Sequence, residues 1–452
     1  MRTRFVIIGA GPAGNAAATV AASLGAEVTL IEREVIGGAA HVWDCLPSKA
    51  MIATGGMLGE VRGAKAMGLA AEGRLDLEML RERIALIETN VRRSVTQLLE
   101  SQRVRLIMGS ATLKGPNEVV VETAGGMESI PADAILIATG SRPRVPDWVT
   151  VDHERILTTR DAYPPSEIPE HIAVVGSGVT GVEFTHMFRS LGSEVTLVVS
   201  RQQVLPQKDP EVAAVLEDEF VRRGVRLIKG ARVQLIENVG DHVHLAFDDG
   251  RSIDVSHAVL TIGSIPNSSG LGLEDAGVAI DASGYIPINR HCQSNIPNIY
   301  VAGDVSGKLP LSSVASMQGR KIAEHVMGLQ QLEHRHLDYD KAASAIFTEP
   351  EIADVGIAEA DAFAEGRKIR VTKVPFAANP KALIEGDARG FVKIISDPAT
   401  GVVLGGSIVG RNAAELISVV ALAVTCGLRT VDLVDSLFVH PALAESIAEA
   451  AS

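Results

Sequence analysis

Residues Phe5–Gly14 read FVIIGAGPAG: an apolar run, then Gly9-x-Gly11-x-x-Gly14, then Ala-rich sequence to Leu24. The apolar run predicts a buried strand and the sequence after it a helix. Each glycine has its own task. Gly9 makes the strand-to-helix turn, Gly11 lets a pyrophosphate approach the backbone, and Gly14 packs helix on strand, so the helix start at Pro12 and Ala13 faces the phosphates. A second strand, Glu27–Ile31, ends at Glu32, where a carboxylate can accept bonds from both hydroxyls of a ribose. That reading implies a nucleotide without a 2′-phosphate, which suits FAD; the alternative is an exposed loop acid. The pattern recurs at Ile172–Gly181, IAVVGSGVTG, with Gly176-x-Gly178-x-x-Gly181, a helical stretch to Leu191 and the strand Glu194–Val199. One such spacing can be no more than a tight turn. Two copies, each after an apolar strand and opening a helix, predict a duplicated dinucleotide-binding unit.

The second copy differs where its next strand ends. Val198-Val199 is followed by Ser200-Arg201 rather than by an acid. Without the carboxylate a 2′-phosphate is not repelled, and Arg201 can attract one. Arg201 can equally be a solvated loop charge, and Gly181 is the glycine typical of NAD sites. NADP(H) is the expected preference, with NAD(H) accepted.

The chain of 452 residues suggests about three domains. With 46% hydrophobic and 21% charged residues it can build a sizeable core. A net charge of -13 argues against nucleic acid or an anionic membrane as main partner. Three cysteines, Cys45, Cys292 and Cys426, make neither a disulfide framework nor a zinc site. They fit a reducing cytosol, so a cytoplasmic location is expected. The first residues enter strand-like sequence with no signal-peptide layout. The most apolar stretch, Ala413 to Leu428, carries Glu415, Ser418 and Thr425 and predicts a buried helix, too short to span a bilayer. No tail or amphipathic anchor suggests stable membrane attachment.

Leu77–Gln102 has helical periodicity, and Val104–Met108, Glu118–Glu122, Val225–Leu227 and Val243–Phe247 read as strands, with Asp248-Asp249-Gly250 a hairpin signal. Three further strand-like segments end in glycine motifs: ILIATGSRP (Ile135–Pro143), VLTIGSIPN (Val259–Asn267) and NIYVAGDVSG (Asn298–Gly307). Beyond about Leu337, strands at Val392–Ile395 and Val402–Leu404 alternate with helices. The expected fold class is α/β: two Rossmann-like dinucleotide-binding domains, for FAD and NADP, plus a separate C-terminal α+β domain, which the family resemblance set out next makes a dimerisation domain. The FAD domain is placed at 1–146 and 263–335, the NAD(P) domain at 147–262 and the interface domain at 336–452.

These motifs together resemble the pyridine nucleotide–disulfide oxidoreductases, over nearly the whole chain. The likeness runs through the first glycine motif with Glu32, GGAAHVWDCLPSK (37–49), IATG at Ile137–Gly140, and the second glycine motif with Glu183. It continues through Ala302-Gly303-Asp304, FTEPEIADVG (Phe347–Gly356) and HPALAE (His440–Glu445). It is strongest toward the NAD(P)H–quinone dehydrogenase branch, in GGAA…DCLPSK, VGSGVTG and LTIGSIPN. The resemblance extends the expected FAD contacts to Arg33, Gly37, Gly38, Lys49, Ala111, Ala138, Thr139, Gly140, Leu311 and Ser312. It implies that Asp304, after Gly303, bonds the flavin ribityl chain. The expected NADP contacts are Gly176, Gly178, Val179, Thr180, Gly181, Glu183, Ser200, Arg201 and Gly263. Val179 stands where glutathione reductase has an aromatic gate, which suggests a more open nicotinamide pocket.

Five residues are expected to carry the chemistry. By resemblance, Cys45 is the flavin-proximal cysteine of a dithiol pair, but its partner five residues earlier is Ala40. Disulfide exchange needs a resolving thiol, and Cys292 and Cys426 read as packing residues. Lys49 is expected near flavin N5, paired with Glu183, because a buried ammonium needs an anion. His440 and Glu445 match a histidine–glutamate pair that acts across the subunit boundary of a homodimer; the histidine could protonate a quinone oxygen or be only an interface residue. His41, beside the lost cysteine, reads as structural. The expected activity is FAD-dependent NAD(P)H dehydrogenation toward a quinone-type acceptor without a redox-active dithiol. The alternatives are soluble transhydrogenation and dihydrolipoamide dehydrogenase-like disulfide reduction. No metal is expected.

Overall fold

The computed structural model describes residues 2–329 and 336–452. The chain divides into two compact units. The first gathers Met1–Pro47, Arg81–Arg144 and Ser264–Tyr339; the second gathers Ser48–Leu80, Val145–Gly263 and Asp340–Ser452.

In the first unit, strand Arg4–Ile8 lies at the centre of a five-stranded sheet, flanked by Glu27–Glu32 and Ala134–Ile137, with Arg105–Met108 and Ile299–Val301 at the edges. Every pairing is parallel. A parallel sheet buried on both faces needs near-continuous apolar strands, and RFVII and AILI supply them. Alternate residues serve opposite faces. Phe5, Ile7, Leu30 and Leu136 pack with the helices Pro12–Ser23 and Ser312–Val326. Val6, Ile8, Ile31, Ile135 and Ile137 pack under an antiparallel meander, Ser110–Leu113, Glu118–Thr123 and Gly126–Pro131. The two helices touch closely, since a Cβ at Gly319 would lie 2.1 Å from the Ala13 carbonyl oxygen.

The second unit repeats the plan. His171–Val175 is central, between Glu194–Val199 and His257–Leu260, with Arg226–Lys229 and Ile156–Thr158 outermost, all parallel. A second meander, Val233–Asn238, Val243–Phe247 and Ser252–Val255, covers one face; its second turn holds Gly250 at φ 85°, the hairpin expected from Asp-Asp-Gly. The C-terminal segment forms an antiparallel five-stranded sheet, ordered Ser344–Ile346, Glu351–Gly356, Val403–Gly410, Phe391–Ser396, Arg370–Pro375. The helices Ala413–Cys426 and Glu445–Ala451 pack in its core.

Three observations differ from the sequence reading. The segment Ser48–Leu80 belongs with the second unit rather than with the first nucleotide domain, because Arg62 donates to the Ser190 carbonyl and Gly55 lies against the Ser190 side chain. The middle and C-terminal segments cluster as one unit, joined by ion pairs from Lys208 to Asp354, Arg389 to Glu219 and Lys393 to Asp209. Cys292 is buried, but Cys426 is exposed. The apolar stripe of its helix runs through Ala413, Ile417, Val420 and Val424, and position 426 falls off that stripe.

Candidate functional site

The first glycine motif forms a cradle whose shape forbids side chains. A Cβ at Gly9 would lie 2.3 Å from the Ala138 carbonyl oxygen, and one at Gly14 1.9 Å from that of Gly9. Gly11 caps the helix Pro12–Ser23, which has Pro at its start and no side chain bonded to its first N–H groups. Those donors, with Pro12 and Ala13 in the first turn, face the space above Gly11 and can hold a pyrophosphate. The loop Gly37–Gly38 folds back against the cradle: a Cβ at Gly38 would fall 2.4 Å from Gly11 Cα. Glu32 closes the end of its strand. Its Oε2 accepts from Ala10 N–H at 2.7 Å, and its Oε1 from Glu34 N–H at 2.7 Å. The carboxylate is thereby fixed, with lone pairs left for ribose hydroxyls. Arg33 is exposed and its guanidinium pairs with Glu34, 2.7 Å away.

Asp304 and the IATG motif also lie in the first unit. Gly303, at φ 74° and ψ −161°, makes a bend that only glycine adopts readily. Ser141 Oγ donates to Asp304 Oδ2 at 2.6 Å. Thr139 and Asn267 clamp each other: Thr139 Oγ1 donates to the Asn267 carbonyl at 2.7 Å, and Asn267 Nδ2 to the Thr139 carbonyl at 3.0 Å. Asn267 N–H also bonds the Gly140 carbonyl. Ala138 and Ala111 are buried. Leu311 precedes the helix Ser312–Val326 and Ser312 opens it. Ser141 and Asn267 were missed from sequence, although both sit inside the quoted motifs.

The second cradle matches the first in backbone. Gly178 caps its helix at φ −73°, ψ −173°, the same angles as Gly11. Gly181 packs on the Gly176 carbonyl, where a Cβ would be 1.9 Å away. Thr261 Oγ1 ties the strands by donating to the Val175 and Gly176 carbonyls, with Gly263 at φ 97° just beyond. Val179 and Thr180, in the first helical turn, are exposed. The strand ends at Val199. The exposed Ser200 and Arg201 follow, and the loop returns so that Leu205 N–H bonds the Ser177 carbonyl at 2.8 Å.

The lysine and glutamate meet. Lys49 Nζ lies 2.7 Å from Glu183 Oε2. Glu183 is only 7% exposed, and its Oε1 accepts from Phe347 N–H at 2.9 Å. The Lys49 ammonium also lies 4.9 Å from the centroid of the Phe347 ring, a cation–π contact. Phe347 was not singled out as a partner, although it opens the FTEPEIADVG motif.

The segment Ala40–Cys45 forms a π-helix that runs into the helix Leu46–Gly63, with Leu46 N–H bonded to the His41 carbonyl. Such widened turns are rare and concentrate at functional sites. Ala40 is exposed and Cys45 half-buried. Burial lowers the pKa of His41, which favours its neutral form. The C-terminal pair is also formed, His440 Nδ1 to Glu445 Oε1 at 2.8 Å. Glu445 is held below the usual carboxylate range by the Ala442 N–H and by His440.

The profile of the family described as pyridine nucleotide-disulphide oxidoreductase matches residues 3–319, and that of its dimerisation domain residues 342–451. The chain belongs to this family. It is a flavoprotein oxidoreductase that uses FAD and NAD(P), and the matched dimerisation domain supports a homodimer. It is 40% identical over 466 residues to an NAD(P)H dehydrogenase (quinone) of Mycobacterium tuberculosis, covering 100% of this chain and 94% of the relative. A dihydrolipoyl dehydrogenase of Chlamydia muridarum is 36% identical over 450 residues, covering 99% and 95%. Among solved structures, LpdA of Mycobacterium tuberculosis superposes with a TM-score of 0.94 at 39% identity, covering 99% of both chains. The HOCl-induced flavoprotein disulfide reductase RclA of Escherichia coli gives 0.88 at 25% identity, covering 99% of both. Among the described residues no helix is long and apolar enough to cross a membrane.

Proposed function

We propose that this oxidoreductase passes electrons from NAD(P)H through FAD to a quinone-type acceptor, with no redox-active dithiol, and that NADPH is preferred. The observation that carries the reading is Ala40. It opens the π-helix that Cys45 closes, so the position from which a second thiol would attack a substrate disulfide holds a methyl group. Cys292 does not substitute, because burial pushes its thiol up to about 11, and the nucleophile in exchange is the thiolate. The quinone reading is also supported by the name of the Mycobacterium tuberculosis relative.

In this reading Gly9, Gly11 and Gly14 take the FAD pyrophosphate, Glu32 the adenosine ribose and Asp304 the ribityl chain. Gly176, Gly178 and Gly181 take the nicotinamide nucleotide, and Arg201 reaches its 2′-phosphate. Bound flavin supplies the two-electron relay between nicotinamide and acceptor. The Lys49 ammonium, fixed by Glu183, would supply positive charge to steady the negative charge that a flavin gathers on reduction. Glu445 holds His440 by Nδ1, leaving Nε2 to deliver a proton to a quinone oxygen. The exposed apolar side chains Leu437 and Val439, next to His440, suit cover by a second subunit.

The test is anaerobic steady-state NADPH oxidation with a benzoquinone or naphthoquinone, run beside lipoamide and oxidised glutathione. Turnover with quinone and none with either disulfide is expected. Brisk disulfide reduction would sink the proposal.

A further inference from the structure

The bend that aims Asp304 is held from behind. Gly303 N–H does not enter a strand ladder; it donates to Gln318 Oε1 at 2.7 Å. Gln318 is completely buried, at 0% exposure, on the helix Ser312–Val326. Its amide nitrogen donates to Tyr339 Oη at 2.9 Å. Tyr339 in turn hydrogen-bonds the Cys292 thiol, and Lys308 Nζ lies 5.6 Å from the centroid of its ring. The tyrosine oxygen accepts from Gln318, which leaves its proton and its second lone pair for the sulfur.

Both links of the Gln318 amide have one sense. A buried amide with both ends satisfied cannot flip without leaving a donor facing a donor. The helix cannot slide either, because Gly319 sits on the Ala13 carbonyl with no room for a Cβ. Burial pushes Tyr339 up to about 12 and Cys292 up to about 11, so both keep their protons at neutral pH. Gly303 therefore has a single orientation, and Ser141 grips the Asp304 carboxylate from the other side.

We propose that Gln318 is a positioning residue for FAD, fixing the Gly303 peptide and through it the Asp304 carboxylate. This rests on the reading of Asp304 as the ribityl ligand. A cofactor site tuned from beneath in this way would lose FAD faster when the amide is removed, although no atom of Gln318 is assigned to the cofactor.

The test compares FAD release from the holoenzyme, followed by flavin fluorescence, and the flavin midpoint potential, in Gln318→Leu, Gln318→Glu, Tyr339→Phe and Asp304→Asn. Release about tenfold faster is expected in Gln318→Leu, with a shifted potential. Gln318→Glu should stay near the parent, because a buried carboxylic acid is protonated and can both accept and donate. Tyr339→Phe should lie between. Unchanged release in Gln318→Leu beside fast release in Asp304→Asn would overturn the proposal and leave the cofactor reading standing. Equal release from the Leu and Glu variants would overturn it too, by showing that volume alone matters. Unchanged release in Asp304→Asn would remove the reading beneath it. Should Gln318→Leu fail to fold, parent-like release in Tyr339→Phe would count against the proposal.

Discussion

The two glycine cradles have nearly the same backbone and different ends. Gly11 and Gly178 share φ and ψ, and Gly14 and Gly181 each pack at the same distance on the carbonyl of the motif's first glycine. The strand after the first cradle ends in Glu32, whose carboxylate is pinned by Ala10 and Glu34 N–H groups. The strand after the second ends at Val199 and is followed by Ser200 and Arg201. In the proposed reading the cradle fixes where a pyrophosphate lies, and one or two residues at the next strand end select the ribose.

The loops beyond those ends are secured differently, and the largest predicted effect breaks that contrast. After the first, glycine meets glycine at Gly38 and Gly11. After the second, the loop runs to Asp209, which bonds Lys393, a lysine 1% exposed that also pairs with Glu211 and Glu359. Lys393→Met would leave the buried Asp209 carboxylate without its cation, and Glu211 with Lys373 alone, and should cost about 3–5 kcal/mol of stability. Burial alone would raise Asp209 and Glu211, but bonds led by Lys393 on Asp209, and by Lys373 and Lys393 on Glu211, hold both below their ordinary 3.8 and 4.5. Groups depressed in the folded state contribute stability above those values and lose it as pH falls through the folded ones. The parent should therefore weaken below about pH 4, whereas Lys393→Met should gain stability between neutral pH and about pH 5, where unpaired carboxylates take up protons. Thermal unfolding across pH reads both; parallel curves would contradict the account.

Next in size is the contrast within the cradles. Gly14→Ala forces a backbone shift and should cost about 1–3 kcal/mol, with loss of bound FAD. At Gly178 a Cβ meets no polypeptide atom within 4 Å. Gly178→Ala should leave unfolding within about 0.5 kcal/mol of the parent while weakening nicotinamide nucleotide binding. FAD content, unfolding midpoint and nucleotide affinity together separate folding glycines from ligand glycines. The smallest effect sharpens the strand-end comparison. Arg201→Glu should move kcat/KM from NADPH toward NADH by about ten- to a hundredfold, or about 1.4–2.8 kcal/mol. An unchanged ratio would make Arg201 a solvated loop charge.

Both cradles and their strands were legible because the signal is local: an apolar run, a glycine spacing and the end of the next strand lie within about thirty residues. The IATG and Gly303-Asp304 motifs were legible as motifs, but not their fastening. Thr139 and Asn267 are 128 residues apart, and no periodicity announces that one amide closes on the other. Gln318 lies outside every quoted motif. The π-helix at Ala40–Cys45 was invisible because one extra residue in a turn leaves no mark in composition. Ser48–Leu80 was placed with the wrong neighbours because its partners, Ser190 among them, come from residues far along the chain.

In the proposed reaction two electrons, not four, reside on each subunit. An anaerobic reductive titration of the purified holoenzyme, followed by flavin absorbance, counts them directly. Complete reduction is expected after about two electrons per FAD, with the bleaching starting at the first addition. Consumption of about four electrons per FAD would mean that Cys45 shares a disulfide with a second thiol, and would contradict the reading of Ala40.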